Sequence, residues 1–138
     1  MSKPRFAGVL FSALFLCVSI VRANQQDFIG EWINIDSETG GMTRLNIFTE
    51  EDRIKIHAWG KCHPNDCDWG AVNLHRIADS VNDQSFKYGF AIWDHHFAAR
   101  YVNISKEDDR LVVEVIAIFK DGSGRSNTKQ IYQMRRNK

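Results

Sequence analysis

The stretch WGKCHPNDCDWG, residues 59–70, is nearly a palindrome around His63-Pro64-Asn65-Asp66, and it is either a metal site, a redox site or a structural disulfide hairpin. Pro64, Asn65 and Asp66 are turn-forming residues, and they separate two halves that each carry a Trp, a Gly and a Cys. The pattern predicts a β-hairpin that is fastened by a disulfide between Cys62 and Cys67.

Pairing the two cysteines fixes a register that the neighbouring residues support. Lys61 then faces Asp68, and each large indole faces a residue without a side chain, as in the pairs Gly60–Trp69 and Trp59–Gly70. Because side chains alternate along strands, the register also predicts two faces. The interior face would hold Ile54, Ile56, Ala58, Gly60, Trp69 and Ala71, and the outer face would hold Arg53, Lys55, His57, Lys61, Asp68 and Arg76.

Outward from this hairpin, the chain contains eight short runs that are apolar or alternate between apolar and polar residues. They cover residues 29–35, 42–48, 54–60, 68–77, 86–93, 97–104, 110–120 and 126–135. The polar connections are too short for parallel crossovers, so consecutive strands must be antiparallel neighbours. Closure of such a sheet removes its exposed edges. We therefore predict an all-β fold, an eight-stranded antiparallel up-and-down β-barrel, with a two-sheet sandwich as the alternative.

The N-terminal residues predict export. Lys3 and Arg5 precede a long apolar run that ends in Val21-Arg22-Ala23, a small-x-small cleavage pattern. We expect residues 1–23 to be a signal peptide cleaved near Ala23, and residues 24–138 to form one secreted or periplasmic barrel domain without a membrane span. A membrane anchor is the alternative, but it needs about twenty apolar residues.

Charge and cysteine content narrow the function classes. Lys3, Arg5 and Arg22 leave with the signal peptide, so 15 of the 18 basic residues remain against 17 acidic ones. This balance argues against a nucleic-acid partner. Of three cysteines, Cys17 is also removed, and the remaining pair should be oxidised outside the cytoplasm.

Metal and redox sites are the alternatives to a structural disulfide. Structural zinc takes four nitrogen or sulfur ligands and catalytic zinc takes three, yet no second cysteine pair exists after cleavage. A redox pair has two intervening residues at a helix start, whereas four residues in a turn separate Cys62 from Cys67. We expect no cofactor and no metal. A metal-dependent activity stays open as an alternative, through His57, His63, Asp66, His95 and His96.

The segment Gly30-Glu31-Trp32-Ile33-Asn34 opens the first predicted strand. Its Gly-x-Trp start resembles that of the lipocalins, and Gly-x-Trp-x-Asn is similar to the avidins, which are both secreted eight-stranded barrels of calycin type. The resemblance implies that Trp32 packs across the barrel floor and that Asn34 faces a ligand cavity. A weaker resemblance links the Gly-x-Trp start and the small disulfide loop to bacterial inhibitors of metalloproteases. The blocks 62–70 and 121–127 look like marks of a bacterial secreted family.

The alternating strands predict a set of inward-facing residues. Phe86, Tyr88, Phe90 and Ile92 form one stripe, the alternate residues from Leu111 to Phe119 form a second, and Tyr132 with Met134 forms a third. An eight-stranded barrel can hold one small ligand or be filled by its own side chains. Our candidate ligand-binding residues are Trp32, Asn34, Trp69, Asn73, Tyr88, Arg100 and Tyr132.

These observations favour a non-enzymatic barrel that binds a small amphipathic or apolar molecule in its interior. An interaction or inhibitor module with a filled barrel is the alternative, with an envelope or extracellular protein or a glycan as partner and loops or Trp59 as contacts. An enzyme is not expected. Ser123 lies in a Gly-Ser-Gly hairpin turn without the strand-to-helix elbow of serine hydrolases, and residues 121–125 are a turn rather than an anion-binding nest.

Overall fold

The computed structural model describes residues 2–4 and 24–138, so nearly all of the predicted signal peptide lies outside the described residues. One short helix, α1 (Gln25–Phe28), precedes the strands. These are β1 (Gly30–Asn34), β2 (Met42–Glu50), β3 (Arg53–Gly60), β4 (Cys67–Asn73), β5 (His75–Ile77), β6 (Tyr88–Asp94), β7 (Ala98–Glu107), β8 (Arg110–Phe119) and β9 (Thr128–Arg136). Over the described part of the chain, no helix has the length and apolar character that crossing a membrane requires.

All strands belong to one antiparallel sheet in the order β4-β3-β2-β1-β9-β8-β7-β6-β5. Each strand therefore pairs with its sequence neighbours, except that β4 and β5 do not pair and form the two edges of the sheet. β1 also pairs with β9 through Trp32↔Arg136, Ile33↔Arg135 and Asn34↔Met134. The sheet curls into a nearly closed barrel. The prediction of an all-β, antiparallel up-and-down barrel is confirmed.

The strand count is nine rather than eight because the predicted strand 68–77 bends at Leu74. Its first part, β4, pairs with β3, and its second part, β5, pairs with β6. At the bend, the Leu74 amide donates to the Ile54 carbonyl over 2.9 Å, and the buried Leu74 side chain packs over Gly89, which has no side chain to obstruct it. The bend carries the backbone from one edge of the sheet to the other.

Between β4 and β6, in a gap that we call the seam, side chains replace the backbone ladder. The Trp93 indole donates from Nε1 to the Gly70 carbonyl over 2.9 Å, and His95 Nε2 lies 3.1 Å from the Trp69 carbonyl. Two ring nitrogens thus satisfy carbonyl groups that would otherwise lie on an unpaired strand edge.

Side chains pack the barrel interior. Trp32 is fully buried, its Nε1 donates to the Phe28 carbonyl over 2.9 Å, and the Phe28 ring stacks on Phe86 at 4.2 Å. The Arg136 guanidinium lies 4.5 Å from the centre of the Trp32 ring and donates to two backbone carbonyls at α1. We call this end, where α1 lies, the closed end. The largest other fully buried side chains are Trp93, Met42, Leu45, Ile47, Ile56, Ile104, Leu111 and Met134.

The inward stripes are confirmed in two strands and wrong in β6. In β8 and β9, Leu111, Val113, Val115, Ala117, Tyr132 and Met134 are buried as predicted, while Phe119 at the end of the β8 stripe is only partly buried. In β6, Ala91 and Trp93 point inward, whereas Tyr88 and Ile92 are 43% and 41% exposed on the outer surface. The error comes from counting alternate residues from Phe86. Phe86 is buried against Phe28, but it lies in the loop before β6, so its burial does not indicate which β6 residues face inward.

The predicted hairpin register is also wrong. Gly60 pairs with Cys67 and Trp59 with Asp68, and Trp69 is then an extra residue, so that Ala58 pairs with Gly70. Gly70 has φ +81°, a conformation that favours glycine, and its amide donates to the Asp68 carboxylate over 2.7 Å. Trp69 still points inward, but Ala71 is exposed on the outer face.

The Cys62 and Cys67 sulfurs lie at disulfide distance, with Cα atoms 5.4 Å apart. Because Cys67 pairs with Gly60, the disulfide closes the loop beyond the last strand pair and does not join two facing residues. The loop is short, so the chain-entropy expression gives about 2 kcal/mol of stabilisation.

We predict that replacing both cysteines, Cys62→Ser with Cys67→Ser, lowers the melting temperature by about 5–10 °C while the barrel stays folded. Thermal unfolding followed by near-ultraviolet circular dichroism measures the shift, and mild reduction of the wild type should reproduce it. Complete unfolding at 25 °C in either case would contradict the prediction.

Candidate functional site

The barrel end opposite α1 carries the β1–β2, β3–β4, β6–β7 and β8–β9 loops, and we call it the mouth. A cavity of about 540 Å³ opens there between the β3–β4 and β6–β7 hairpins, and we call it the mouth pocket. Its volume lies within the usual range for small-molecule sites. Its wall includes Gly60, the Cys62–Cys67 disulfide, Trp69, Phe97 and Arg100.

Trp69 owes its position to the bulge in β4 and to Gly60 on the facing strand. A Cβ atom at Gly60 would lie 2.8 Å from Trp69 Nε1, so any side chain there would push the indole away. On its other side, the Trp69 ring meets Trp93 edge to face with centroids 5.9 Å apart. Glycine at position 60 therefore lets the indole form a wall of the mouth pocket.

Arg100 projects from the inner face of β7 into the mouth pocket, between two aromatic rings. Its guanidinium carbon lies 4.4 Å from the centre of the Trp69 ring and 5.3 Å from that of Phe97. Burial lowers the pKa of Arg100, and the nearby charge of Arg125 lowers it further, although an arginine stays protonated under such conditions. Among the described residues, no carboxylate lies within 4.0 Å of this guanidinium.

His95 links Arg100 to the seam. Arg100 Nη1 donates to His95 Nδ1 over 3.1 Å, which assigns the ring proton to Nε2, facing the Trp69 carbonyl. The imidazole is also parallel to the Phe97 ring, with centroids 5.9 Å apart. Both ring nitrogens of His95 are therefore occupied in holding the mouth pocket together.

Of the seven predicted ligand-binding residues, the structure brings Trp69 and Arg100 together in the mouth pocket. Trp32 lies in the packed core, as expected for a floor residue, and Tyr88 lies on the outer face. Asn73 is exposed at the far end of β4 from the mouth. Whether any of the seven binds a ligand stays a prediction.

Asn34 and Tyr132 stabilise the β1–β2 loop at the mouth. Asn34 Nδ2 donates to the Met42 carbonyl over 2.8 Å, and its Oδ1 accepts from the Asp36 amide over 2.9 Å. The buried Tyr132 ring packs against Gly41, its hydroxyl donates to the side chain of Gln130, and burial raises the pKa of Tyr132. Both residues therefore support the backbone beside the mouth pocket.

The structure does not gather the histidines of the metal alternative. His57 lies on the outer face and bonds to Asp68 over 2.5 Å, while Asp66 accepts from the Thr43 hydroxyl over 2.6 Å. The backbone bond from Gly70 and the bond to His57 lower the pKa of Asp68. In residues 2–4 and 24–138, no group of three or more His, Cys, Asp or Glu side chains is placed to hold a metal ion.

Trp59, the aromatic residue of the glycan alternative, is half-buried on the outer face. The His57 ring stacks on its indole at 3.9 Å, and the Arg44 guanidinium lies 3.9 Å from the ring centre. Both neighbours occupy ring surface that a sugar would need for stacking.

The β8–β9 loop, residues 120–127, contains a turn held by bonds between residues of the loop itself. Asp121 accepts from the Ser123 amide over 3.1 Å and from Arg125 Nη2 over 2.6 Å. The Arg125 guanidinium also lies 4.1 Å from the centre of the Phe119 ring. Arg125, the cation that an anion-binding nest would need, is thus paired with Asp121 within the turn, which agrees with the prediction of a turn.

Sequence reasoning missed Phe97 and His95 as pocket residues. Phe97 was expected at the start of the run 97–104, and His95 in the polar connection that precedes it. Both lie between β6 and β7 at the mouth, and only the curvature of the sheet brings them opposite Trp69. The large apolar residue directly after two histidines was the one local signal for an aromatic group at this hairpin tip.

We predict that Gly41→Ala destabilises the barrel and that its neighbour Gly40→Ala does not. A Cβ atom at Gly41 would lie 1.9 Å from the Tyr132 hydroxyl, so the buried ring must move, at a cost of about 1–3 kcal/mol. Nothing lies within 4 Å of a Cβ atom at Gly40. Equal melting temperatures for the two variants would contradict this assignment.

We predict that Asp121 titrates with a pKa of about 2 in the folded protein, because Ser123 and Arg125 bond to the charged form. Because the pKa of Asp121 is lower in the folded protein than its unfolded value of 3.8, these contacts stabilise the loop fully at pH values above 3.8. This stabilisation is lost as the pH falls toward 2. Carboxyl ¹³C chemical shifts give the midpoint, and Asp121→Asn should remove the transition. A midpoint near 4 would show that the bonds do not persist in solution.

In comparisons with family models, curated proteins and solved structures, the chain has no significant match.

Proposed function

We propose that this chain is a secreted or periplasmic, non-enzymatic β-barrel protein that binds a small amphipathic or apolar molecule in the mouth pocket. One observation carries the proposal: a cavity of about 540 Å³ in which Trp69, Phe97 and the half-buried Arg100 converge. Aromatic walls with a few placed polar groups are the usual composition of small-molecule sites.

The mouth suits such a ligand better than the barrel centre does. Trp32, Trp93 and aliphatic side chains occupy the centre, and a barrel of this size has room for side chains or for one small ligand. A ligand in the mouth pocket would rest against the rim hairpins and leave the packed core intact.

Three features support export and a relation to calycin-type barrels. The apolar N-terminal segment with its basic start suits a signal peptide, and the Cys62–Cys67 pair suits an oxidising compartment. Trp32 at the closed end suits the lipocalin-like and avidin-like arrangement, in which the Gly-x-Trp residue packs across the barrel floor.

A non-enzymatic role agrees with the groups around the mouth pocket. His95 is bonded at both ring nitrogens, and Asp68 accepts from both His57 and the Gly70 amide. Ser123 belongs to the β8–β9 turn. These groups serve the local structure and are not arranged as a nucleophile with its base.

A protein-interaction module is the second candidate function, because the outer face of β5 to β9 is unusually apolar. Exposed large hydrophobic side chains on this face are Ile77, Tyr88, Ile92, Tyr101 and Ile131. Contiguous apolar surface of this kind often marks a contact site. Its contact residues differ from those of the mouth pocket, so substitutions can separate the two functions.

We predict that the neutral dye N-phenyl-1-naphthylamine binds saturably to the wild type and that Phe97→Ala weakens it about fivefold to tenfold, because one aromatic wall is lost. Fluorescence titration gives the dissociation constant. Tyr101→Ala is the matched control, since Tyr101 is 38% exposed on the outer face and Phe97 is 39% exposed at the mouth pocket.

Binding should be the same in the Tyr101→Ala variant as in the wild type. Absence of saturable binding would reject the proposed function, and equal losses in both variants would place the dye outside the mouth pocket.

A further inference from the structure

An apolar ligand in the mouth pocket would offer no partner for the positive charge of Arg100. Its guanidinium is half-buried between Trp69 and Phe97. Removing a cation from water is costly unless an anion or hydrogen-bond acceptors compensate for the lost hydration. Within the described residues, its one hydrogen bond is to a neutral acceptor, His95 Nδ1, and no carboxylate pairs with it.

The geometry of Arg100 leaves one part of the guanidinium available. The Trp69 ring covers a flat face, and Nη1 is bonded to His95. The other N–H groups have no partner among the described residues. In the described part of the chain, Ser85 Oγ is the only buried side-chain nitrogen or oxygen atom that has no hydrogen-bond partner. The Arg100 nitrogens without a partner are therefore not fully buried. The unbonded N–H groups are therefore accessible to solvent at the mouth pocket.

The other charges at the mouth pocket do not neutralise Arg100. Lys61 adds a second positive charge to the lining. Asp68 also lines the pocket, but its carboxylate is bonded to His57 and to the Gly70 amide. Arg125 is close enough to influence Arg100 and is itself paired with Asp121. The pocket thus presents an excess of positive charge on aromatic walls.

Resting on the proposed function, we propose that the natural ligand is an aromatic or aliphatic carboxylate whose charged group pairs with the open N–H groups of Arg100. A planar guanidinium donates parallel N–H bonds that match the two oxygens of a carboxylate. The apolar part of the ligand lies against Trp69 and Phe97. This pairing compensates the buried cation and gives the mouth pocket a preference for acids over neutral molecules of the same shape.

The test compares 1-naphthylacetate with 1-naphthylacetamide, which share one apolar body and differ in charge. Each displaces N-phenyl-1-naphthylamine from the protein at pH 7 and low salt. For the wild type we expect the acid to bind at least about tenfold more tightly than the amide, as for a charge-assisted hydrogen bond. In Arg100→Gln the ratio should fall to about one, and in Arg125→Gln the preference should persist.

A direct measurement on the wild type keeps the test independent of the folding of Arg100→Gln. The Arg100 Nε–Hε signal, assigned from its loss in Arg100→Lys, should shift when the acid is added and stay in place with the amide. Equal displacement of the dye by the acid and the amide would overturn the carboxylate inference but leave the proposed function intact. The same conclusion would follow if the dye bound and neither compound displaced it. Absence of saturable dye binding would instead reject the proposed function itself.

Discussion

The architecture depends on how the barrel closes at the seam between β4 and β6. The backbone crosses this gap once, at the Leu74 bend, and above the bend the two strands are not ladder partners. The ring nitrogens of Trp93 and His95 take over by bonding to the carbonyls of Gly70 and Trp69. Because the ladder is missing there, the sheet leaves room for an indole and a guanidinium at the rim. The mouth pocket is thus a product of incomplete closure, and the side chains that hold the seam also form its wall.

Much of the fold was predictable because each part of it has a local signal. The strict alternation of β8 places its apolar residues on the inner face, and polar turns between short runs leave antiparallel neighbours as the simplest arrangement. The failures occurred where local pattern and tertiary packing disagree. Phe86 looks like part of a strand but is buried by stacking in a loop, and Trp69 is an extra residue that the conformation of Gly70 accommodates. Counting facing residues outward from the Cys62–Cys67 pair assumes that no strand has an extra residue, so it misses a one-residue bulge.

The candidate site was only partly predictable. Arg100 was selected as an inward-facing polar residue by alternation along its strand. Trp69 was selected from the hairpin register, and it points inward although the bulge makes that register wrong. Their contact depends on sheet curvature, which brings β4 and β7 together at the mouth. Phe97 and His95 could not be found in this way, because hairpin tips have no fixed inside or outside until the neighbouring strands are placed. The family resemblance that places Asn34 at a cavity does not predict its hydrogen bonds: Asn34 Nδ2 donates to the Met42 carbonyl on β2, and its Oδ1 accepts from the Asp36 amide.

The pairing of β1 with β9 has a consequence for biogenesis. β9 is the last of the nine described strands in chain order, and it supplies both the ladder partner of β1 and Arg136, whose guanidinium covers Trp32. Until residues 128–136 have been synthesised, one edge of β1 is unpaired and the cylinder cannot be completed. Individual hairpins can fold while the chain is being synthesised, but the barrel can close only once β9 is present.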